Sequence, residues 1–164
     1  MHARATRYAF RDKAGDYAHL AGELASLLEG ERDPIARAAN TAALIFDTLP
    51  DINWVGFYLL RNNELIVGPF QGKPACTRIP MGKGVCGAAA ARRETIVVPD
   101  VQEFPGHIAC DSVSRSEIVI PLLAGERILG VLDLDSPSIA RFDSTDARGL
   151  EQLVTIYLSD LERC

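Results

Sequence analysis

Two apolar runs, Ser116 to Ala124 and Ile128 to Asp135, stand on either side of a tip at Gly125-Glu126. Runs of this length around a short Gly-containing tip form a β-hairpin. Neither run alternates cleanly between apolar and polar. Both faces are largely apolar, so both must be covered, and the hairpin belongs at the centre of a sheet. A second hairpin precedes it. Trp54 to Leu60 is aromatic and β-branched, Asn62-Asn63 makes the turn, and Glu64 to Phe70 returns. Two hairpins impose a mainly antiparallel sheet.

Helical periodicity frames these strands. Asp16 reads as the N-cap of a helix over about 17–29, with Leu20, Leu24, Leu27 and Leu28 on one face and Gly30 as its stop. Asp33-Pro34 reads as N-cap and first position of a helix over about 34–48, with Ile35, Ala38, Ala39, Ala42, Ile45 and Phe46 at helical spacing. Phe142 to Cys164 reads as a last helix capped by Asp143 or Ser144. Its buried face carries Leu150, Leu153, Val154, Tyr157, Leu158 and Leu161. Between the hairpins the chain is Gly/Pro-rich. Cys76 to Ile79 reads as a short strand, Gly84 to Arg92 as a short helix and Thr95 to Val98 as a brief strand. Residues 99–115 have no period, and long loops in compact domains are usually functional. Helices at both ends must pack on one sheet face. The expected fold is a layered α/β domain spanning 1–164, with a loop-enclosed pocket on the opposite face.

At 164 residues with 48% hydrophobic and 24% charged side chains, the composition is that of one globular domain. The net charge is −5 and no basic stripe runs along the chain, which argues against nucleic acid and anionic membrane as partners. No apolar run reaches the length of a membrane span. Met1 to Lys13 lacks the apolar core of a signal peptide, so the cytoplasm is the expected compartment. In a reducing compartment, thiols are more often reactive, metal-binding or simply buried than structurally cross-linked.

Cys76, Cys86 and Cys110 lie in the Gly/Pro-rich middle, and Cys164, the last residue, is expected to be exposed and frayed. Their spacings make neither a CxxC redox motif nor a paired zinc pattern. His107 stands three residues before Cys110, but no second pair accompanies it, so no metal is expected. Cys86 sits in Gly84-Val85-Cys86-Gly87, where it reads either as a small buried hydrophobe or as a thiolate favoured by a helix N-terminus. Cys110 has polar neighbours, His107, Asp111 and Ser112, and suits a reactive thiol on a loop. Asp133 and Asp135 share one face of an otherwise apolar strand. Such a pair resists burial unless something satisfies it. Glu117 joins them only in one register. A three-residue hairpin loop pairs Ala124 with Ile128 and so Glu117 with Asp135, whereas a two-residue loop puts them on opposite faces. The converging arrangement could hold an ammonium group and supply a proton.

The segments Asn53-Trp54-Val55-Gly56-Phe57-Tyr58, Gly68-Pro69-Phe70-Gln71-Gly72, Gly82-Lys83-Gly84-Val85-Cys86-Gly87, Phe104-Pro105-Gly106-His107-Ile108-Ala109-Cys110-Asp111, Ser116-Glu117-Ile118 and Leu132-Asp133-Leu134-Asp135-Ser136 occur in this order. Together with Cys76 they resemble the free methionine-(R)-sulfoxide reductases, a GAF-domain family, over about residues 17–160. The resemblance implies a GAF-like fold and an enzyme with no metal or organic cofactor. It implies Cys110 as the nucleophile on the sulfoxide sulfur, Cys76 as the main resolving cysteine and Cys86 as an alternative partner or support. It implies Glu117, Asp133 and Asp135 around the substrate's amino group and sulfoxide oxygen, Trp54 against its methyl end, and Tyr58 nearby. A thioredoxin-type reductant and a homodimer through the N-terminal helices follow from the same resemblance. The other classes open to a GAF-like chain are a sensing module that binds a small molecule without chemistry, and a thiol redox sensor.

Overall fold

The computed structural model describes residues 10–161; Cys164 lies outside the described residues. The elements are α1 (Lys13–Leu27), α2 (Pro34–Thr48), β1 (Trp54–Arg61), β2 (Glu64–Gln71), β3 (Arg78–Pro80), α3 (Gly84–Arg92), β4 (Ile96–Val98), β5 (Ser116–Ala124), β6 (Arg127–Ser136) and α4 (Ser144–Leu158), with a 3₁₀ turn at Val101–Glu103. They form one six-stranded sheet in the order β3-β2-β1-β6-β5-β4. Every neighbouring pair is antiparallel. β1, β5 and β6 are the central strands, as their two apolar faces require.

The sheet divides the interior in two. Val55, Phe57, Ile118, Ile120, Leu122, Leu132 and Leu134 point to the face covered by α1, α2 and α4. Trp54, Tyr58, Val119 and Val131 point the other way, where α3 and the loops close over them. Asp33 caps α2, its side chain accepting from the Ile35 and Ala36 amides, with Pro34 in the first turn. Asp143 caps α4 in a capping box with Asp146. The first helix begins earlier than expected. Asp12 occupies the cap position without a side-chain cap bond, and Asp16 falls in the first turn. Leu20, Leu24 and Leu28 are buried, but Leu27 is 45% exposed, because the buried stripe follows Tyr17, Leu20, Ala21 and Leu24. Ile35 and Ala39 likewise face outward. Cys76 precedes β3 rather than opening it.

Arg37 was not read as a core residue, yet it is fully buried. Its guanidinium donates to the carbonyls of Leu28, Glu31, Ile156 and Tyr157, tying together the C-terminal ends of α1 and α4 and the turn that leads into α2. Among the described residues no helix is long and apolar enough to cross a membrane.

The β5–β6 register differs in origin from the expected one. The tip is a two-residue loop, with Ala124 opposite Arg127. That loop alone would put Glu117 and Asp135 on opposite faces. A β-bulge corrects the phase: Leu123 pairs with Ile128 and Leu122 with Gly130, so Leu129 is the extra residue. Glu117 therefore pairs with Asp135 and Val119 with Asp133. Gly130 permits the bulge. Its φ is +152°, and a Cβ there would meet the Tyr58 carbonyl oxygen at 2.1 Å.

Candidate active site

The bulge delivers three carboxyl groups to the sheet face away from α1, α2 and α4, beneath α3 and the loops. Glu117 comes from β5, and Asp133 and Asp135 from β6. All three line a cleft partly open to solvent. β1 supplies the apolar wall. The Trp54 ring lies across Gly56, stacked on Phe70 with centroids 5.3 Å apart. A Cβ on Gly56 would strike both the Trp54 ring and Phe70, so glycine is required there. The Trp54 indole donates to the Lys73 carbonyl at 3.1 Å, and the Tyr58 hydroxyl to the Cys76 carbonyl at 3.0 Å. Two strand aromatics thus hold down the loop that carries Cys76.

The thiols come from three separate elements. Cys76 stands before β3 and Cys110 on the loop after the 3₁₀ turn; they form a disulfide, with Cα atoms 5.5 Å apart. Cys86, in the first turn of α3, is the one free cysteine among the described residues and is buried. Its Sγ lies 3.9 Å from Glu117 Oε1. Of the two readings of Cys86, the buried thiol is the one observed. Burial, with Asp133 and Glu117 nearby, pushes the thiol well above its usual range, which outweighs any pull from the helix N-terminus.

The carboxyl groups are shifted the same way. Burial, reinforced by Asp135, raises Glu117 to about 8. Burial and the neighbouring Glu117 raise Asp133, and burial with Asp133 and Asp111 raises Asp135. Asp133 and Glu117 share a side-chain hydrogen bond that favours the proton on Asp133. Asp133 Oδ1 is buried without a hydrogen-bond partner. A group from a bound molecule would satisfy it. Cys86, Glu117 and Asp133 offer ligand atoms within 4.8 Å of one another. Burial makes each of them favour its protonated form. The cluster is a store of protons in an apolar setting.

The structure brings together every residue singled out for the site: Trp54, Tyr58, Cys86, Cys110, Glu117, Asp133 and Asp135 line the cleft and Cys76 is joined to Cys110, while Tyr58 also tethers the Cys76 loop. It also adds residues that sequence reasoning did not assign. His107, weighed only as a metal partner of Cys110, places Nε2 3.6 Å from Glu117 Oε2. Burial lowers its pKa. Asn53 donates to Ser114 Oγ at 3.1 Å and Asp111 Oδ2 at 3.4 Å, pinning the Cys110 loop to the start of β1. Position beside Cys110 and Trp54 was the available signal for both, but a loop has no period to convert into direction.

The antiparallel sheet with helices on one face, and a thiol–carboxyl cleft under loops on the other, defines a redox-equipped GAF domain. The GAF domain family model matches residues 23–156. The chain is 52% identical over 143 residues to the free methionine-R-sulfoxide reductase of Escherichia coli, covering 87% of each. The structure of the free methionine-R-sulfoxide reductase of Neisseria meningitidis in complex with its substrate superposes with a TM-score of 0.91 at 46% identity, covering 98% of this chain and 96% of that one. Reduced fRMsr of Staphylococcus aureus gives a TM-score of 0.86 at 54% identity, covering 88% of this chain and 94% of that one. The chain belongs to the free methionine-R-sulfoxide reductase family of GAF-domain proteins.

Proposed function

We propose that this chain reduces free methionine-(R)-sulfoxide to methionine, with Cys110 as nucleophile. The observation that carries the reading is the Cys76–Cys110 disulfide at the wall of a cleft lined by three acids held toward their protonated forms. In the reduced enzyme the Cys110 thiolate attacks the sulfoxide sulfur while Glu117 protonates the oxygen. The bond between the two sulfurs is transient: the protonated oxygen passes from the substrate sulfur to Cys110 Sγ, the sulfur–oxygen and sulfur–sulfur bonds to the substrate break, methionine leaves two electrons richer, and Cys110, two electrons poorer, is left as a sulfenic acid. The Cys76 thiol then condenses with it; the sulfur–sulfur bond forms and the oxygen departs as water. A thioredoxin-type dithiol returns both cysteines to thiols by exchange. No metal or organic cofactor enters these steps.

Trp54 packs against the substrate's methyl end, with Tyr58 beside it. An ammonium group brought among Asp133, Asp135 and Glu117 favours an ionised carboxylate, so the free amino group is both bound and read. A residue inside a peptide has no such group, which makes the enzyme selective for the free amino acid. Cys86 supports Glu117 rather than resolving the sulfenic acid, because burial disfavours its thiolate. A reducing compartment, the cytoplasm, suits this cycle. Exposed Leu27 and Ile35 on α1 and α2 suit a homodimer through the N-terminal helices.

The test is a coupled assay with thioredoxin, its reductase, NADPH and each epimer of free methionine sulfoxide. NADPH oxidation with the R epimer alone, abolished in Cys110→Ser, is the expected result. Turnover surviving in Cys110→Ser removes the nucleophile assignment. Absence of turnover with either epimer points instead to a sensing module, and equal turnover of a peptide-bound sulfoxide removes the selectivity argument.

A further inference from the structure

The two sulfurs of the disulfide are not equivalent. Cys110 is exposed, on a stretch where Ile108, Ala109, Ser112 and Val113 are exposed too. Cys76 is half-buried and packs against the apolar cluster beneath the cleft. Its backbone is held from inside by the hydroxyl of Tyr58, whose own side chain is buried. Thiol–disulfide exchange requires an incoming thiolate to reach one sulfur while the other leaves, so access and leaving-group quality jointly choose the sulfur attacked.

Access separates the two sulfurs. An incoming thiolate reaches Cys110 from solvent, whereas Cys76 is half-buried against the apolar cluster and its backbone is tied down by the Tyr58 hydroxyl.

We propose that the recycling thiol attacks Cys110 Sγ, so that regeneration passes through a mixed disulfide on Cys110 with Cys76 released first. The inference rests on the proposed cycle, in which an external dithiol reopens this disulfide. In the first step the donor thiolate bonds to Cys110 Sγ, the Cys76–Cys110 bond breaks, and Cys76 leaves as a thiolate that takes a proton from water. In the second, the donor's other thiolate attacks the donor sulfur of the mixed disulfide and Cys110 leaves as a thiolate. The donor is oxidised by two electrons and the chain is reduced by two. Cys110, the proposed nucleophile, is thus the last thiol freed, on the outward side, while Cys76 is already in place to resolve the next sulfenic acid.

The experiment uses the oxidised full chain. It is mixed in parallel with glutathione and with a thioredoxin whose second active-site cysteine is serine. Each reaction is quenched in acid at successive short times, free thiols are alkylated, and the digest is mapped by mass spectrometry. The expected earliest adduct is on Cys110 with Cys76 alkylated, in excess of the reverse by about tenfold or more. An earliest adduct on Cys76 with Cys110 alkylated, from either donor, overturns the proposal, and so does a disulfide that neither donor opens. A Cys110 adduct with glutathione but none with thioredoxin supports the sulfur assignment and removes thioredoxin as the donor. Failure of the catalytic reading is separate: the reduced chain would then form no methionine from the R epimer, whatever the adduct map.

Discussion

Replacing Glu117 by glutamine should make the fold more stable, and increasingly so as the pH rises. Glu117 is buried among Cys86, Asp133 and Asp135, and its carboxyl is raised to about 8 from an ordinary value of 4.5. The folded state therefore binds this proton more tightly than the unfolded chain does. The stabilisation so gained is fully present below the unfolded value and is lost as pH rises through the folded one. At pH 7 the unfolded carboxyl is ionised while the folded one is still mostly neutral. At about 1.4 kcal/mol per unit, this costs the wild-type fold up to about 3 kcal/mol at that pH. Glutamine carries no such cost and keeps the shape and one hydrogen bond to Asp133. Relaxation of the neighbouring acids absorbs part of the gain, leaving about 1–3 kcal/mol, or roughly 3–10 °C in Tm. The assay is urea unfolding of both oxidised proteins at half-unit steps from pH 5 to 9. The stability gap should widen by about 1 kcal/mol per unit up to about pH 8 and then level off. A gap that stays flat, or a variant less stable than wild type at pH 8, refutes the account of Glu117 as a proton held by burial.

Three further outcomes follow from the same geometry. The single-turnover rate of methionine formation by the reduced enzyme should fall about tenfold per pH unit above about 8, because Glu117 must carry the proton it donates; a rate flat to pH 9.5 removes Glu117 as the acid. Arg37→Ala removes a donor from four main-chain carbonyls, of which Leu28 and Ile156 keep a second one from Glu31 and Ser159, and urea unfolding should show a loss of about 2 kcal/mol or more, with the R-epimer preference unchanged; a loss below about 1 kcal/mol means water replaces the guanidinium. Gly130→Ala drives a methyl into the Tyr58 carbonyl and opposes the bulge, so it should cost about 2–4 kcal/mol by thermal unfolding and shift the amide resonances of Glu117 and Asp135; an unperturbed spectrum refutes the bulge as the source of the register.

What was legible in the sequence follows the physics that writes it locally. The Asp33-Pro34 cap and the Gly84 to Arg92 run both emerged as read, because caps and the glycine and alanine content act within one turn. The central placement of β5 and β6 was legible because two apolar faces admit no other solution. The pairing of Glu117 with Asp135 was reached through a three-residue tip, yet the tip has two residues and a bulge at Leu129 supplies the missing step. The local sign of that bulge is Gly130, a glycine inside an apolar strand, but the approach of β1 that makes glycine necessary there is a tertiary fact. Arg37 eluded the reading for a similar reason. Charged residues are assumed to face water, and only the meeting of α1, α2 and α4 offers one enough carbonyls to go inside. His107 was near the right residues in sequence, but only the folded loop turns it toward Glu117 rather than toward a metal shared with Cys110.

The division of the site between sheet and loops has a mechanical consequence. The acids stand on β5 and β6, two interior strands of the ladder, where pairing on both sides fixes their positions and burial excludes the water that would lower their pKa values. Proton affinity is thereby a property of the rigid part. The sulfurs that, in the proposed cycle, approach the substrate, meet each other and meet a donor stand on loops joined to that frame by side-chain tethers from Asn53, Trp54 and Tyr58. Making or breaking the Cys76–Cys110 bond links or releases two loops 34 residues apart in sequence, with no strand pairing to disturb. Each turn of the cycle can therefore move a wall of the cleft while the proton donors keep their register. Putting a thiol on β6 instead, or an acid on the Cys110 loop, would force one element to be both mobile and dry, and a mobile loop open to solvent cannot hold a carboxyl near 8.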